Sequence, residues 1–345
     1  MIKIILSSKE MNMKKLISKD SLGQLYSRLK ENYKILAPVK GKKGQAEFVY
    51  NPDYKDVNYD YIQSVLSVKN VVFPKTENLM KFTVQKSGTE LQPIGLELVP
   101  ETILWGSHPC DNASFGVLKS IFSWDIDDQF FSRRMSQLIV IGLACKSSDE
   151  HCFCTSMDYT PASTAGSDWL LSFTTGDSFA VEIVSPKGQE LYSRYADLFT
   201  DYQHEELIHA VVEKRFSKEQ VELKLKTAFD HAFWVENSLR CIGCGTCAFV
   251  CPACACFDIQ DELKGKHGRR YRTWDSCCTK LFTLHTSGHN PREVQSQRWR
   301  QRLMHKFSYM PVNNHSFGCV GCGRCTRACP VDMNISEQLE KLEQI

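Results

Sequence analysis

Read for its apolar and polar positions, the first two-thirds of the chain alternates short strand-like runs with helix-like ones. Tyr33–Val39, Ile94–Val99, Ile103–Trp105 and Leu138–Leu143 are apolar or alternating runs flanked by turn residues, which predicts strands. Trp169–Thr174 and Phe179–Val184, separated by Thr-Gly-Asp-Ser, predict a hairpin. Leu22–Glu31, Ala113–Phe122 and Gln129–Met135 carry helical spacing between them. From His204 to Val235 the pattern again predicts helix, with Ser217-Lys-Glu-Gln220 resembling a capping box that restarts a second helix. After about Ser238 the character changes: cysteine becomes dense and periodic apolar runs thin out. The expected fold class is α+β, an N-terminal α/β domain (1–203), a helical connector (204–237) and a mainly helical ferredoxin-like domain (238–345).

Composition narrows the class. The 345 residues are 42% hydrophobic and 24% charged with a net charge of +2, an ordinary globular balance that gives no pull toward nucleic acid. No apolar run is long enough for a membrane span, and Met1–Leu6 is too short for a signal-peptide core, so a cytoplasmic location is expected. Of 16 cysteines, twelve lie between Cys241 and Cys329. In a chain with no export signal, such density points to thiolate metal ligands rather than disulfides.

The one internal repeat carries the chemistry. Cys241-Ile-Gly-Cys-Gly-Thr-Cys-Ala-Phe-Val-Cys-Pro252 is echoed by Cys319-Val-Gly-Cys-Gly-Arg-Cys-Thr-Arg-Ala-Cys-Pro330. Each is C-x2-C-x2-C-x3-C-P, the bacterial ferredoxin run for a [4Fe–4S] cluster, whose fourth cysteine serves the other cluster in two-cluster ferredoxins. Three thiolates at that spacing wrap one face of a cubane, and glycines on either side of the second cysteine let the backbone approach closely. The expected ligand sets are Cys241, Cys244, Cys247 and Cys329 for one cluster, and Cys319, Cys322, Cys325 and Cys251 for the other. Paired zinc sites are the bland alternative. Two clusters sharing ligands lie close together, which favours electron transfer over a structural role. The 67 residues between Cys251 and Cys319 mark an elaborated version, expected to be helical.

A second constellation lies upstream. Cys110 follows the strand-like Ile103–Trp105, Cys145 follows Leu138–Leu143, and Cys152 and Cys154 sit on the adjoining loop. Parallel strands ending on one rim would bring these thiols together. The alternatives are a third [4Fe–4S] cluster, with Asp111 as a substitute ligand, a four-cysteine zinc site, or unligated buried thiols. Cys254, Cys256, Cys277 and Cys278 remain; they read as packing about the first cluster, or, for the first three, as a redox-active or metal-binding trio. The basic stretch Arg292–Lys306 reads as a helix whose cations neutralise anionic clusters or dock a partner, rather than as a nucleic-acid site. His285, His289 and His305 read as packing residues. No GxGxxG, P-loop or Ser/His/Asp arrangement is present, so no nucleotide, flavin or catalytic site is expected on this chain.

Several strings beyond the repeats resemble one family. They are Pro109-Cys-Asp111, Cys152-Phe-Cys-Thr-Ser-Met157, Cys251-Pro-Ala-Cys-Ala-Cys-Phe257, Arg270-Tyr-Arg-Thr-Trp-Asp-Ser-Cys277, His289-Asn-Pro-Arg292, Arg300-Gln-Arg302 and His305-Lys-Phe307. Together they resemble the iron–sulfur β subunit of cytoplasmic NAD(P)-linked nickel–iron hydrogenases (sulfhydrogenases), with the A subunit of anaerobic sulfite reductase as a relative. The resemblance spans about residues 100–335; Cys278, beside the Trp-x-Ser-Cys string, departs from it. It implies an electron-transfer subunit between a flavin subunit that exchanges electrons with NAD(P)H and a catalytic nickel–iron or sirohaem subunit. It also implies cofactor positions at Cys110, Asp111, Cys152 and Cys154, with Cys145 upstream. Asp275 and the HisAsnProArg and HisLysPhe strings look more like the hydrogenase branch.

Overall fold

The computed structural model describes residues 13–94 and 99–345. The expected strand Ile94–Val99 and the segment Met1–Leu6 fall largely or wholly outside those residues. Strands and helices mix through the chain, as an α+β class requires, and they form two sheets.

The larger sheet has a parallel centre. β2 (Lys34–Lys40), β6 (Thr102–Ser107), β7 (Leu138–Leu143) and β8 (Trp169–Thr174) run parallel as neighbours. Antiparallel strands close both sides: β3 (Ala46–Tyr50) on β2, and β9 (Ser178–Ile183), β1 (Met13–Ser18) and β10 (Thr200–Asp201) beyond β8. The central strands are nearly continuous apolar runs because both faces are covered. On one face α1 (Lys19–Asn32) turns Leu22, Leu25, Tyr26 and Leu29 onto Ile103, Trp105, Ile141, Trp169 and Leu171. On the other, α2 (Pro109–Phe122) and α3 (Gln129–Ser136) pack Phe115, Leu118, Phe122 and Phe131 against Leu104 and Val140.

The smaller sheet is a four-stranded antiparallel one in which β4 (Thr76–Gln85) and β5 (Gly88–Pro93) pair with β12 (Phe257–Lys264) and β13 (His267–Trp274) in the order β12-β13-β4-β5. An early hairpin thus meets a late one. Buried Arg272 fastens the junction: it pairs with Glu77 of β4 at 2.6 Å and with Asp128, the residue that caps α3, at 2.5 Å.

Two expectations are corrected. Residues 204–216 are not helical: β11 (Leu207–Ile208) pairs with the end of β8, and the chain runs on extended. Tertiary partners outbid the local helical pattern there, since Ala210 N–H donates to Cys145 O and the backbone N–H of Arg215 to Ser156 Oγ. The helix that does form, α5 (Lys218–Leu225), starts at the expected cap, with Ser217 Oγ accepting from Gln220 N–H. The segment 252–318 also opens on the β12–β13 hairpin rather than on helix. Its helical part follows, as α8 (Gln295–Met304), a π-helical turn (His305–Tyr309) and α9 (Met310–Asn314). Pro311 lacks the N–H that would bond to the Phe307 carbonyl, a local cause for the wide turn just before it. No helix among the described residues is long and apolar enough to cross a membrane.

Candidate metal centres

Both ferredoxin runs adopt the same local form. Gly243 and Gly245 in the first, and Gly321 and Gly323 in the second, have φ between +68° and +74°. Each second glycine caps one short helix, α7 (Thr246–Phe249) or α10 (Arg324–Arg327), and the two helices pack together. The left-handed glycines curl the chain so that successive cysteines face one point, the conformation that L side chains resist. Gly321 is doubly constrained: a Cβ there would lie 2.5 Å from the backbone of Cys154.

Cys241, Cys244, Cys247 and Cys329 line one cavity. Cys325 reaches the same cavity, and so does Cys278, whose sulfur is 3.8 Å from that of Cys247. Cys319 and Cys322 stand next to it in the second run, while Cys251 is tied to them by Lys306, whose Nζ lies 3.5 Å from Cys251 Sγ and donates to Gly318 O. Burial raises the thiol pKa of Cys319 to about 12, against the pull of Lys306. A free thiol in such a place stays protonated, and a bound cation would reverse that preference.

The upstream cysteines also meet. Cys110, Cys145, Cys152 and Cys154 line a second cavity, together with Gly321 and Cys322 of the second run. The fold explains the meeting. β6 ends in a bulge at Gly106 (φ +71°), Pro109 starts α2, and Cys110 falls in its first turn. β7 ends alongside at Leu143, leaving Cys145 on the same rim, its N–H bonded to Pro161 O. The Cys152–Cys154 loop is sewn to the second run by Phe153 N–H donating to Gly321 O at 2.9 Å. Gln63 spans the gap, with Nε2 donating to Cys110 Sγ and to Cys322 O. Burial raises the Cys110 and Cys145 thiols and takes Cys154 to about 11.

Asp111 is placed differently from the thiols. It is fully buried and does not line the cavity; Arg324, from within the second run, holds its Oδ2 at 2.5 Å. Arg327 similarly pairs with Asp149 and donates to Cys152 Sγ at 3.3 Å.

The sequence singles out neither Gln63 nor Lys69, and it marks Arg302 and Lys306 only as parts of a basic stretch and of the family strings Arg300-Gln-Arg302 and His305-Lys-Phe307. Lys69, Arg302 and Lys306 are 2–3% exposed, and none pairs with a carboxylate among the described residues. Two of them reach thiols, Arg302 donating to Cys254 Sγ and Cys247 O and Lys306 lying against Cys251 Sγ, while Lys69 donates to the carbonyls of Ala248 and Cys254 beside them. Buried cations without counter-charge are costly. A thiolate-ligated anionic group between them would supply that charge. Among the described residues, no three or more His, Cys, Asp or Glu side chains are grouped as they would be about a single metal ion.

The comparisons agree with this chemistry. Residues 240–333 match the family of 4Fe-4S dicluster domains. The chain is 29% identical to subunit beta of sulfhydrogenase 2 from Pyrococcus furiosus over 332 residues, which is 93% of this chain and 96% of that protein. With its cysteines grouped as described, the chain is similar over nearly its whole length to the beta subunit of a sulfhydrogenase, and its C-terminal part matches a 4Fe-4S dicluster domain.

Proposed function

We propose that the chain relays electrons within a multi-subunit oxidoreductase, between a flavin subunit that reacts with NAD(P)H and a catalytic subunit of the nickel–iron hydrogenase or sulfur-reductase kind. The relative's place as a subunit of a sulfhydrogenase supports this reading. The observation that carries it is the burial of three cations, none paired with a carboxylate among the described residues, about the first ferredoxin run: Lys306 Nζ lies 3.5 Å from Cys251 Sγ and also bonds Gly318 O beside the second run, Arg302 reaches Cys254 Sγ, and Lys69 holds the Ala248 and Cys254 carbonyls. No residue of the chain is given a catalytic role.

Cys241, Cys244, Cys247 and Cys329 would hold one [4Fe–4S] group, and Cys319, Cys322, Cys325 and Cys251 the other. Cys110, Cys145, Cys152 and Cys154 would hold a third. When bound, such a group takes up and returns one electron at a time. The residues around it set how easily that happens. Lys306 and Arg302 favour the added negative charge, while burial of the second run keeps water from reorganising about it. Because Cys322 lines the upstream cavity and Cys325 the downstream one, the three positions would follow one another in a line. That order suits an entry at one end of the line and an exit at the other.

Purification of the native assembly under anaerobic conditions tests the reading. Co-elution with a flavin subunit and a nickel–iron subunit is the expected result, and a sirohaem subunit in place of the latter would move the chain to the sulfite-reductase branch. The isolated chain should be brown and bleach with dithionite. A colourless protein that iron and sulfide cannot reconstitute would overturn the proposal. For the third site, Cys145→Ser/Cys154→Ser should lose about four iron atoms per chain.

A further inference from the structure

Four cysteines stand outside these twelve positions, and the hairpin β12–β13 decides where they go. Its first cross-strand pair is Phe257 with Trp274, and the N–H of Asp275 donates to Cys256 O at 3.0 Å. The two ends of the hairpin are thereby clamped together, and Cys254 and Cys256, just before it, come against Cys277, just after it. These three thiols line one cavity with room for water of about 330 Å³. His305, Arg292, Arg302 and Lys306 line it too. The His305 ring makes no hydrogen bond or ion pair among the described residues, although it sits partly buried at the start of the π-helical turn. Arg302 Nη1 approaches Cys254 Sγ at 3.6 Å, and Lys69 holds the Cys254 carbonyl at 2.9 Å. Three soft donors and one imidazole thus face a space ringed by cations, the setting in which thiols give up protons to metal.

We propose that Cys254, Cys256 and Cys277, with His305 as the further donor, hold an additional iron–sulfur cluster beside the two of the ferredoxin repeat. The cavity far exceeds one ion, and soft thiolates with an imidazole suit iron–sulfur chemistry. Insertion of a preassembled cluster releases the three thiol protons to solvent and moves no electrons. The site deepens the electron-relay reading and rests on it. Cys254 lies against Cys251, with which it shares a hydrogen bond, so the cavity borders the second cluster's expected ligands.

The test uses the full chain, reconstituted anaerobically with ferric iron, sulfide and a thiol reductant, which together supply the mixed ferric and ferrous iron of the cluster. Cys256→Ser/Cys277→Ser should carry about four fewer iron atoms and four fewer sulfides than the parent chain, while the remaining absorbance still bleaches with dithionite. Equal iron in variant and parent overturns the proposal, and so does loss of one zinc with no iron. Because that variant risks misfolding, iodoacetamide labelling of the parent chain provides a second readout. Cys256, which is half-exposed to the cavity, should be protected when iron is bound and labelled once a chelator has removed it. Labelling of Cys256 in the iron-loaded chain, or its recovery as a disulfide with Cys277 from anaerobic preparations, overturns the proposal. A parent chain with no iron at all fails the electron-relay reading instead.

Discussion

At the scale of single residues, the second run is wired to the large sheet by charge. Arg324 and Asp111 are both buried, and they join α10 to the first turn of α2. Removing one partner strands the other: Asp111→Asn should destabilise the chain by about 3–5 kcal/mol, read as a lowered urea midpoint. The same logic run through redox chemistry gives a sign for Lys306. Its ammonium lies 3.5 Å from Cys251 Sγ, and removing a cation disfavours an added electron. Lys306→Met should therefore make the midpoint of the neighbouring cluster more negative by an amount on the order of 60 mV, a tenfold change in a one-electron equilibrium; potentiometric titration followed by EPR reads it, and an unchanged midpoint would contradict the assignment. Asp111 was visible in the sequence as part of the Cys-Asp string. Its partner was not, because an arginine inside a ferredoxin run gives no local sign of what it meets 213 residues away.

Elements were legible where burial imposes a period. β7 begins and ends where its apolar run does, and the β8–β9 hairpin lies within a residue of expectation. The β12–β13 hairpin was missed for the opposite reason. Its strands are exposed on most positions and rich in charge, so no apolar alternation marks them; cross-strand pairs such as Arg270–Asp261 at 2.7 Å and pairing with β4 hold it instead. The cap of α5 shows both sides. Ser217 Oγ does accept from Gln220 N–H, but the Ser217 N–H is met by Glu343 from α11 (Ile335–Gln344), not by Gln220. Ser217→Ala should cost about 1 kcal/mol, measured by thermal unfolding. Gly321→Ala should be far worse than any surface change, since it adds left-handed strain of about 1–2 kcal/mol to a Cβ 2.5 Å from the Cys154 backbone. Its check is the yield of folded, iron-loaded protein.

For the molecule as a whole, the expected ligands double as packing. Cys241, Cys319, Cys325 and Cys329 sit against the apolar cluster of Phe153, Phe216, Trp299, Leu303 and Leu339, whereas Ile103, Trp105, Ile141 and Leu171 form a core that contains no cysteine. Stripping iron with a chelator should therefore loosen the part after residue 238 first. Limited proteolysis should cut within 238–335 while a fragment holding the large sheet persists; simultaneous loss of both would show that the iron sites are not local supports.

What this sequence determined unaided is what depends on near neighbours: the spacing of two four-cysteine runs, the glycines that let them curl, and the apolar strands of the large sheet. Three of the four thiolates expected for each ferredoxin-type cubane lie within a few residues of one another, so that part of its signature is written locally. Tertiary structure decided which of the expected distant meetings occur and what closes them. Cys110, Cys145 and the Cys152–Cys154 loop share a cavity because parallel strands end on one rim, and Cys256 meets Cys277 because a charged hairpin closes beneath them. Arg302 and Lys306 were legible as members of a basic stretch that could neutralise a cluster. Which of its cations are buried, and that Lys69 joins them, was out of reach, since a lysine or arginine carries its charge in any context and only folding decides whether water or sulfur surrounds it.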